Sequence, residues 1–241
     1  MDIGRTGLSK LDPNGYWGKK RTDRGGLIWF CIKKFGYKRY LEIGLGHGHN
    51  FAQVECEEKV GVELQTRRIT ALTESGVDAV FFMTSDAFFE QYKGSGRMRP
   101  FDIVFVDGGH SYDPAMKDIY NSLDMLTENG VVLIHDALPK LGGEPDTVWR
   151  AMLELRTRPE FDFIIGDFRV NTEGVKFGPQ TSRAMGIVIN SPNTDLHQAP
   201  YDYDIIMKMS DEEVLVKDKD LFRLRTREEV TTWLCEKRGG E

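Results

Sequence analysis

Residues 40–50 read Tyr40-Leu41-Glu42-Ile43-Gly44-Leu45-Gly46-His47-Gly48-His49-Asn50. A four-residue run of strand character passes directly into three glycines at alternate positions. A run this short and apolar suits a strand rather than a helix. Glycine lacks a Cβ, so the chain that follows can turn tightly and approach a ligand closely. The same rhythm recurs outward from it. Apolar runs at 60–62, 79–83, 103–106 and 131–134 each end in a polar or glycine-containing turn. Stretches of helical periodicity lie between them, at 66–75, 86–92 and 114–127. Near-continuous apolar runs suit strands buried on both faces, and their alternation with helices predicts an α/β fold with a doubly wound, mostly parallel sheet. Two later strands are expected at 161–165 and 184–189, preceded by an amphipathic segment at 147–155.

The chain has 241 residues, 40% of them hydrophobic and 29% charged, with a net charge of −6. That length predicts one domain, 1–241. Within it we expect an N-terminal helical or acceptor segment (1–36, with a helix at 25–35), a core (37–195) and a C-terminal appendage (196–241). In the appendage, 205–209 and 213–216 read as strands, and Thr226-Arg227-Glu228-Glu229 reads as the capping-box start of a helix. The negative balance argues against nonspecific nucleic-acid binding, which depends on clustered cations. The basic stretch 19–24 is interrupted by Asp23 and reads as a solvated loop. Cys31, Cys56 and Cys235 show neither framework nor zinc spacing. The polar N-terminus has no signal-peptide character, and no apolar run approaches the ~20 residues of a membrane span. A soluble cytoplasmic protein is expected, one compatible with a homo-oligomer.

In open α/β sheets, ligands sit beyond the carboxyl ends of the strands. Glu63 follows the second strand, nineteen positions after Gly44, where a carboxylate can accept hydrogen bonds from both hydroxyls of a ribose. Thr84-Ser85-Asp86 follows the third strand and also fits an ordinary helix N-cap. Glycine loop plus acid serves two cofactor classes. The dinucleotide fingerprint G-x-G-x-x-G needs its third glycine at position 49, which is His49 here. Tyr112 and Lys117 are five apart rather than the four of short-chain dehydrogenases, so an NAD(P)-dependent oxidoreductase has little support.

The pattern G-x-G-x-G, with Glu42 two residues ahead of it, resembles the first motif of class I S-adenosylmethionine-dependent methyltransferases. Residues 101–139, FDIVFVDGGHSYDPAMKDIYNSLDMLTENGVVLIHDALP, extend the likeness. Together these stretches resemble the small-molecule and sugar O-methyltransferase group that includes the macrocin-type enzymes, with cephalosporin-hydroxylase-like relatives. The likeness covers about 40–139 and, weakly, the segment around Trp149. It implies a seven-stranded Rossmann-like sheet with an antiparallel last strand, and S-adenosyl-L-methionine held by Glu42, Gly44, Gly46, Gly48, Glu63, Ser85, Asp86 and Asp107, with Asp86 on the adenine amine. It also implies Mg²⁺ or another divalent metal on Asp107, His135 and Asp136. At His135 the group carries an acid, and imidazole suits softer ions than Mg²⁺.

Methyl transfer from a sulfonium is an in-line displacement of an already activated group, so the protein must align the acceptor and remove its proton. His110, His135 and Asp107 are the candidate catalytic residues, with either histidine able to serve as base. The implied acceptor is a hydroxyl of a sugar or glycosylated small molecule, with neither nucleic acid nor membrane as partner. No Asn/Asp-Pro-Pro-aromatic motif of base-amino methylation follows the fourth strand. Tyr16, Trp17, Trp149 and Phe177 suit either ring stacking or the core. A non-catalytic protein of the same fold stays open, because fold alone does not carry activity.

Overall fold

In a computed structural model, residues 23–65, 78–93, 95, 99–139, 146–167, 184–196, 203–210 and 222–239 are described. Their elements, in chain order, are α1 (Asp23–Phe35), β1 (Arg39–Ile43), α2 (His49–Gln53), β2 (Glu58–Val62), β3 (Asp78–Phe81), α3 (Ser85–Lys93), β4 (Phe101–Val106), α4 (Tyr112–Leu123), β5 (Leu126–Ile134), α5 (Val148–Leu155), β6 (Phe161–Asp167), β7 (Ala184–Asn190), α6 (Tyr203–Lys208), β8 (Leu224–Arg225) and α7 (Arg227–Arg238).

The strands pair in the order β3-β2-β1-β4-β5-β7-β6-β8. β1, β2, β3, β4 and β5 run parallel, and β7 runs antiparallel between β5 and β6. This is the expected doubly wound sheet with its antiparallel member, but among the described residues it holds eight strands rather than seven. The eighth, β8, is two residues of the C-terminal segment laid parallel to β6. A segment so short carries no alternation from which a strand can be read.

Both faces of the sheet are buried, and successive strand residues divide between two cores. Leu41, Ile43, Val104, Val106, Val132 and Ile134 join one cluster with residues of α3, α4 and α5. Tyr40, Ile103, Phe105, Val131 and Leu133 face the other, with Leu27, Ile28 and Phe30 of α1 and Val230 and Leu234 of α7. The chain order reverses at β1, which lies between β2 and β4, so a crevice opens beyond the carboxyl ends of these strands.

Two expected elements are corrected. Residues 205–209, read as a strand, lie in α6 and the residues just after it, with Ile206 buried; Arg150 Nη2 donates to the Met209 carbonyl at 3.1 Å beyond the helix end. Periodicity does not separate so short an apolar run from helix. The helix expected at 114–127 stops at Leu123, because the chain re-enters the sheet at Leu126, where the Phe101 N–H donates to the Met125 carbonyl at 2.7 Å. The helix expected at 66–75 and the strand at 213–216 lie outside the described residues, as do Tyr16, Trp17 and Phe177.

The capping box is present: Glu229 N–H donates to Thr226 Oγ1 at 3.3 Å, and Thr226 N–H donates to Glu229 Oε2 at 2.7 Å. The C-terminal segment is tied to the core through Asp162, which is fully buried on β6. Arg223 Nη1 and Lys237 Nζ each reach its carboxylate at 2.7 Å, and Thr194 Oγ1 donates to it at 3.1 Å. Among the described residues no helix is long and apolar enough to cross a membrane.

Candidate active site

The crevice at the reversal is a cleft of about 810 Å³. At its centre lies the β1–α2 turn, in which Gly44, Gly46 and Gly48 have φ of 82°, 54° and 78°. Left-handed backbone at three alternate positions favours glycine at each. Their spatial roles differ. A Cβ at Gly44 would stand 2.2 Å from the Asp107 carbonyl oxygen, so this glycine lets the turn lie against the end of β4. A Cβ at Gly46 would meet nothing within 4 Å, so this glycine borders open space in the cleft. Gly48 is the N-cap of α2.

Glu42 is 1% exposed beneath the turn, where its Oε2 accepts from Tyr40 Oη at 2.5 Å and Asn50 Nδ2 at 2.9 Å. Burial, partly offset by these two donors, pushes its carboxyl up to about 7. Its position suits bracing the turn from below while one edge lines the cleft. Glu63 reaches across from the end of β2. Its Oε2 accepts from the Gly46 N–H at 2.9 Å and its Oε1 from the Gln65 N–H at 2.8 Å. Each carboxylate oxygen keeps further acceptor capacity, so both hydroxyls of a ribose can still be received. Open space at Gly46 and a fixed carboxylate beside it fit a nucleoside cofactor.

Ser85 and Asp86 line the cleft beyond Glu63. The helix-cap reading of this segment belongs to Thr84, whose Oγ1 accepts from the Ala87 N–H at 3.2 Å. Asp86 instead accepts from Lys117 Nζ at 3.3 Å, both side chains being largely exposed.

On the other side of the turn, charged groups from four segments meet. Arg24 of α1 donates to Asp107 Oδ2 at 3.0 Å. His135 Nδ1 stands 3.0 Å from Asp107 Oδ1 and 3.2 Å from Asp136 Oδ1, ion-pair contacts that miss hydrogen-bond geometry. His110 Nδ1 lies 3.2 Å from Asp136 Oδ2 and 3.5 Å from Asp146 Oδ2. Asp136 is 2% exposed and, at φ 57°, adopts the left-handed backbone that a non-glycine residue rarely takes. Such strain persists only where surrounding contacts over-determine it. Asp136 and Asp146 push the His110 imidazole up to about 10. Burial lowers His135, but Asp107 and Asp136 outweigh it and bring it to about 9. Burial likewise opposes the ionised Asp136, and the two imidazoles hold its carboxyl far below the usual range.

All the residues expected in catalysis or metal binding therefore come together. Among the described residues, the three groups able to converge on one ion are Asp107, His110 and Asp136, whose ligand atoms lie within 4.8 Å of one another, so His110 stands in the set where His135 was expected. Their chemistry fits a divalent cation, on one condition. The three carboxylates already face three cationic groups, Arg24, His110 and His135, so an ion must displace a proton from an imidazole that binds it.

Sequence reasoning missed Arg24, placed within a solvated loop, and Asp146. Arg24, one residue inside α1, lies in the segment expected to serve the acceptor and lines the cleft, and Asp146 ends the loop 138–146, a candidate acceptor loop in which no local pattern singles it out. Trp149 is fully buried in the core and does not line the cleft.

Residues 41–137 match a family model described as a methyltransferase domain. The chain has the class I methyltransferase fold. An O-methyltransferase from Bacillus cereus, solved with S-adenosylhomocysteine, aligns with a TM-score of 0.56 at 13% identity, over 77% of this chain and 89% of its own. TomG from Streptomyces achromogenes, an O-methyltransferase of tomaymycin synthesis solved with S-adenosylmethionine, gives 0.54 at 19% identity, over 77% and 90%. A Clostridium thermocellum protein described as a candidate rRNA methylase gives 0.51 at 15% identity, over 72% and 100%. No curated protein matches the sequence. The methyltransferase fold thus comes with acceptors of different classes, and the acceptor must be argued from the site.

Proposed function

We propose that the protein transfers the methyl group of S-adenosyl-L-methionine to a hydroxyl oxygen of a small molecule, a sugar or glycoside of the macrocin type. The observation that carries this reading is the continuity of one cleft, which runs from Glu63 and Asp86 past Gly46 to Asp107, His110 and His135. Glu63 and the glycine turn would hold the adenosyl cofactor, whose sulfonium would supply the methyl group on the side of the cleft lined by Asp107, His110 and His135. Asp107 and Arg24 would orient the acceptor, and His110 or His135, once deprotonated, would take the hydroxyl proton as the oxygen gains the methyl group, the carbon–sulfur bond breaks and S-adenosylhomocysteine leaves as the neutral thioether. Asp107, Asp136 and one imidazole would hold a divalent cation, with His135 standing where the resemblance implies an acid. Such an ion lowers the pKa of a coordinated hydroxyl.

We read the chain as one working domain, 1–241, with an N-terminal acceptor segment, 1–36, whose Arg24 lines the cleft, and a C-terminal appendage, 196–241, whose β8 and α7 brace the sheet. The net charge of −6 supports a small-molecule acceptor over nucleic acid. Calorimetry with S-adenosylhomocysteine and NAD tests the cofactor, and transfer of labelled methyl to a panel of glycosides, phenols, RNA and protein tests the acceptor. Tight NAD binding without response to the adenosyl compound overturns the reading in favour of an oxidoreductase. Adenosyl binding with no transfer to any acceptor favours a non-catalytic protein of this fold.

A further inference from the structure

Asp118 of α4 lines the cleft at 2% exposure, and its Oδ1 is buried with no hydrogen-bond partner. A buried acceptor left unmet is costly and calls for a donor. The local sequence brings this carboxylate to the cleft. Pro114 and Asp118 are four apart on α4 and share one helix face, and both line the cleft. They fit under the β4–α4 turn because Gly108 and Gly109 stand above them. A Cβ at Gly109 would be 2.6 Å from Pro114 Cβ, and one at Gly108 would be 3.2 Å from Asp118 Oδ2.

Strand order fixes which end of the cleft Asp118 serves. Glu63, at the end of β2, takes the ribose in the function proposed above. From there the cluster of Asp107, His110 and Asp136 lies toward β4 and β5, and Ser85 and Asp86 lie toward β3. Asp118 belongs to the β3 side, since the Ser85 hydroxyl faces its carboxylate, which burial raises to about 6. Here Leu64, 63% exposed, and Met83 offer apolar surface to a flat ring. Asp86, the residue implied by resemblance for the adenine amine, is engaged with Lys117 at the rim.

The geometry points to Asp118 as the residue that reads the exocyclic amine of the cofactor's purine, accepting an N–H at its unpartnered oxygen. This rests on the adenosyl-cofactor reading and names the group that makes it specific for adenine. A purine with a carbonyl at C6 presents an acceptor to the carboxylate and is repelled.

The test is competitive calorimetry with S-adenosylhomocysteine and S-inosylhomocysteine, which differ in the C6 group and the N1 proton. The wild-type protein is expected to prefer the adenosyl compound by at least about tenfold, the worth of a hydrogen bond to a charged acceptor. Asp118→Asn keeps the shape and supplies a donor, so the preference is expected to collapse or invert, whereas Asp86→Asn leaves it in place. Equal binding of both compounds by the wild type overturns the assignment without any variant. An unchanged ratio in Asp118→Asn, or a ratio lost in Asp86→Asn instead, also overturns it. Binding of neither compound by the wild type overturns the cofactor reading itself, an outcome distinct from the others.

Discussion

The Gly46 N–H donates to Glu63 Oε2 at 2.9 Å, which joins the glycine turn after β1 to the acid after β2. Two segments that recognise different parts of one ligand are thereby held in register by a contact of their own. Preorganisation of this kind reduces the ordering cost of binding. Glu63→Ala is expected to weaken S-adenosylhomocysteine binding by about 1.5–3 kcal/mol, the range for hydrogen bonds to a charged group. Calorimetry on folded variant and wild type checks it.

The glycines of the turn separate a structural from a ligand-facing role. At Gly44, φ is 82° and an added Cβ meets the Asp107 carbonyl at 2.2 Å, so Gly44→Ala is expected to lower the melting temperature sharply. At Gly46 an added side chain enters open space, and only the left-handed backbone, φ 54°, opposes it. That strain costs about 1–2 kcal/mol. Gly46→Leu should therefore fold, with a modest loss of stability, and lose cofactor binding. Intact binding in folded Gly46→Leu would place the cofactor elsewhere.

Asp162 is a buried acid with a structural task. Removing it leaves Arg223, itself 5% exposed, without its 2.7 Å partner. Breaking a buried pair from one side costs about 3–5 kcal/mol, so Asp162→Ala should shift the denaturant midpoint strongly with little change in slope. The sign of the pH effect follows from the direction of the shift. Asp162 is held below the ordinary carboxylate range, against the opposing effect of burial, by Lys237 and Arg223. Its contribution is therefore present above the unfolded-state value near 3.9 and is lost as pH falls further. Acid denaturation is expected to set in at higher pH in the variant.

The parts of this molecule legible in the sequence are those set by local chemistry. The apolar runs at 103–106 and 131–134 announced buried strands because their alternate residues must satisfy two cores at once. Gly44, Gly46 and Gly48 announced a turn that ordinary side chains resist. Thr226 and Glu229 announced the start of α7 by reciprocal hydrogen bonding. What stayed hidden depends on distant partners. β8 is a strand only because β6 offers it an edge. Arg24 meets Asp107 across 83 positions, and Asp146 meets His110 from the far side of β5. The orphaned oxygen of Asp118 exists only once α4 packs beneath Gly108.

The imidazoles of the reaction cluster make a prediction about stability. Both are raised above the unfolded value near 6.5, His110 to about 10 and His135 to about 9. A raised histidine contributes stability that is fully present below its unfolded value and is lost as pH rises through its folded value. Melting temperature is expected to fall between about pH 6.5 and pH 10, in metal-free buffer. Asp136→Asn, which removes the carboxylate shared by both rings, should flatten that slope.

The same shifts decide how a divalent ion would reveal itself in turnover. With both imidazoles held protonated at neutral pH, neither can accept a hydroxyl proton, so the rate without an ion should rise about tenfold per pH unit before levelling near pH 9–10. A cation on Asp107 and Asp136 neutralises the carboxylates that raise the rings, so with Mg²⁺ or Mn²⁺ present the plateau should move to lower pH. Chelator should reverse the move while leaving S-adenosylhomocysteine affinity nearly unchanged, because Glu63 and the glycine turn lie outside the cluster. Asp107→Asn and Asp136→Asn should abolish the response to chelator, since each removes a ligand charge at nearly constant volume. A pH–rate profile that is the same in excess chelator and in excess metal would show that His110 or His135 acts alone. Arg24, already 3.0 Å from Asp107, would then be the cation that balances the site.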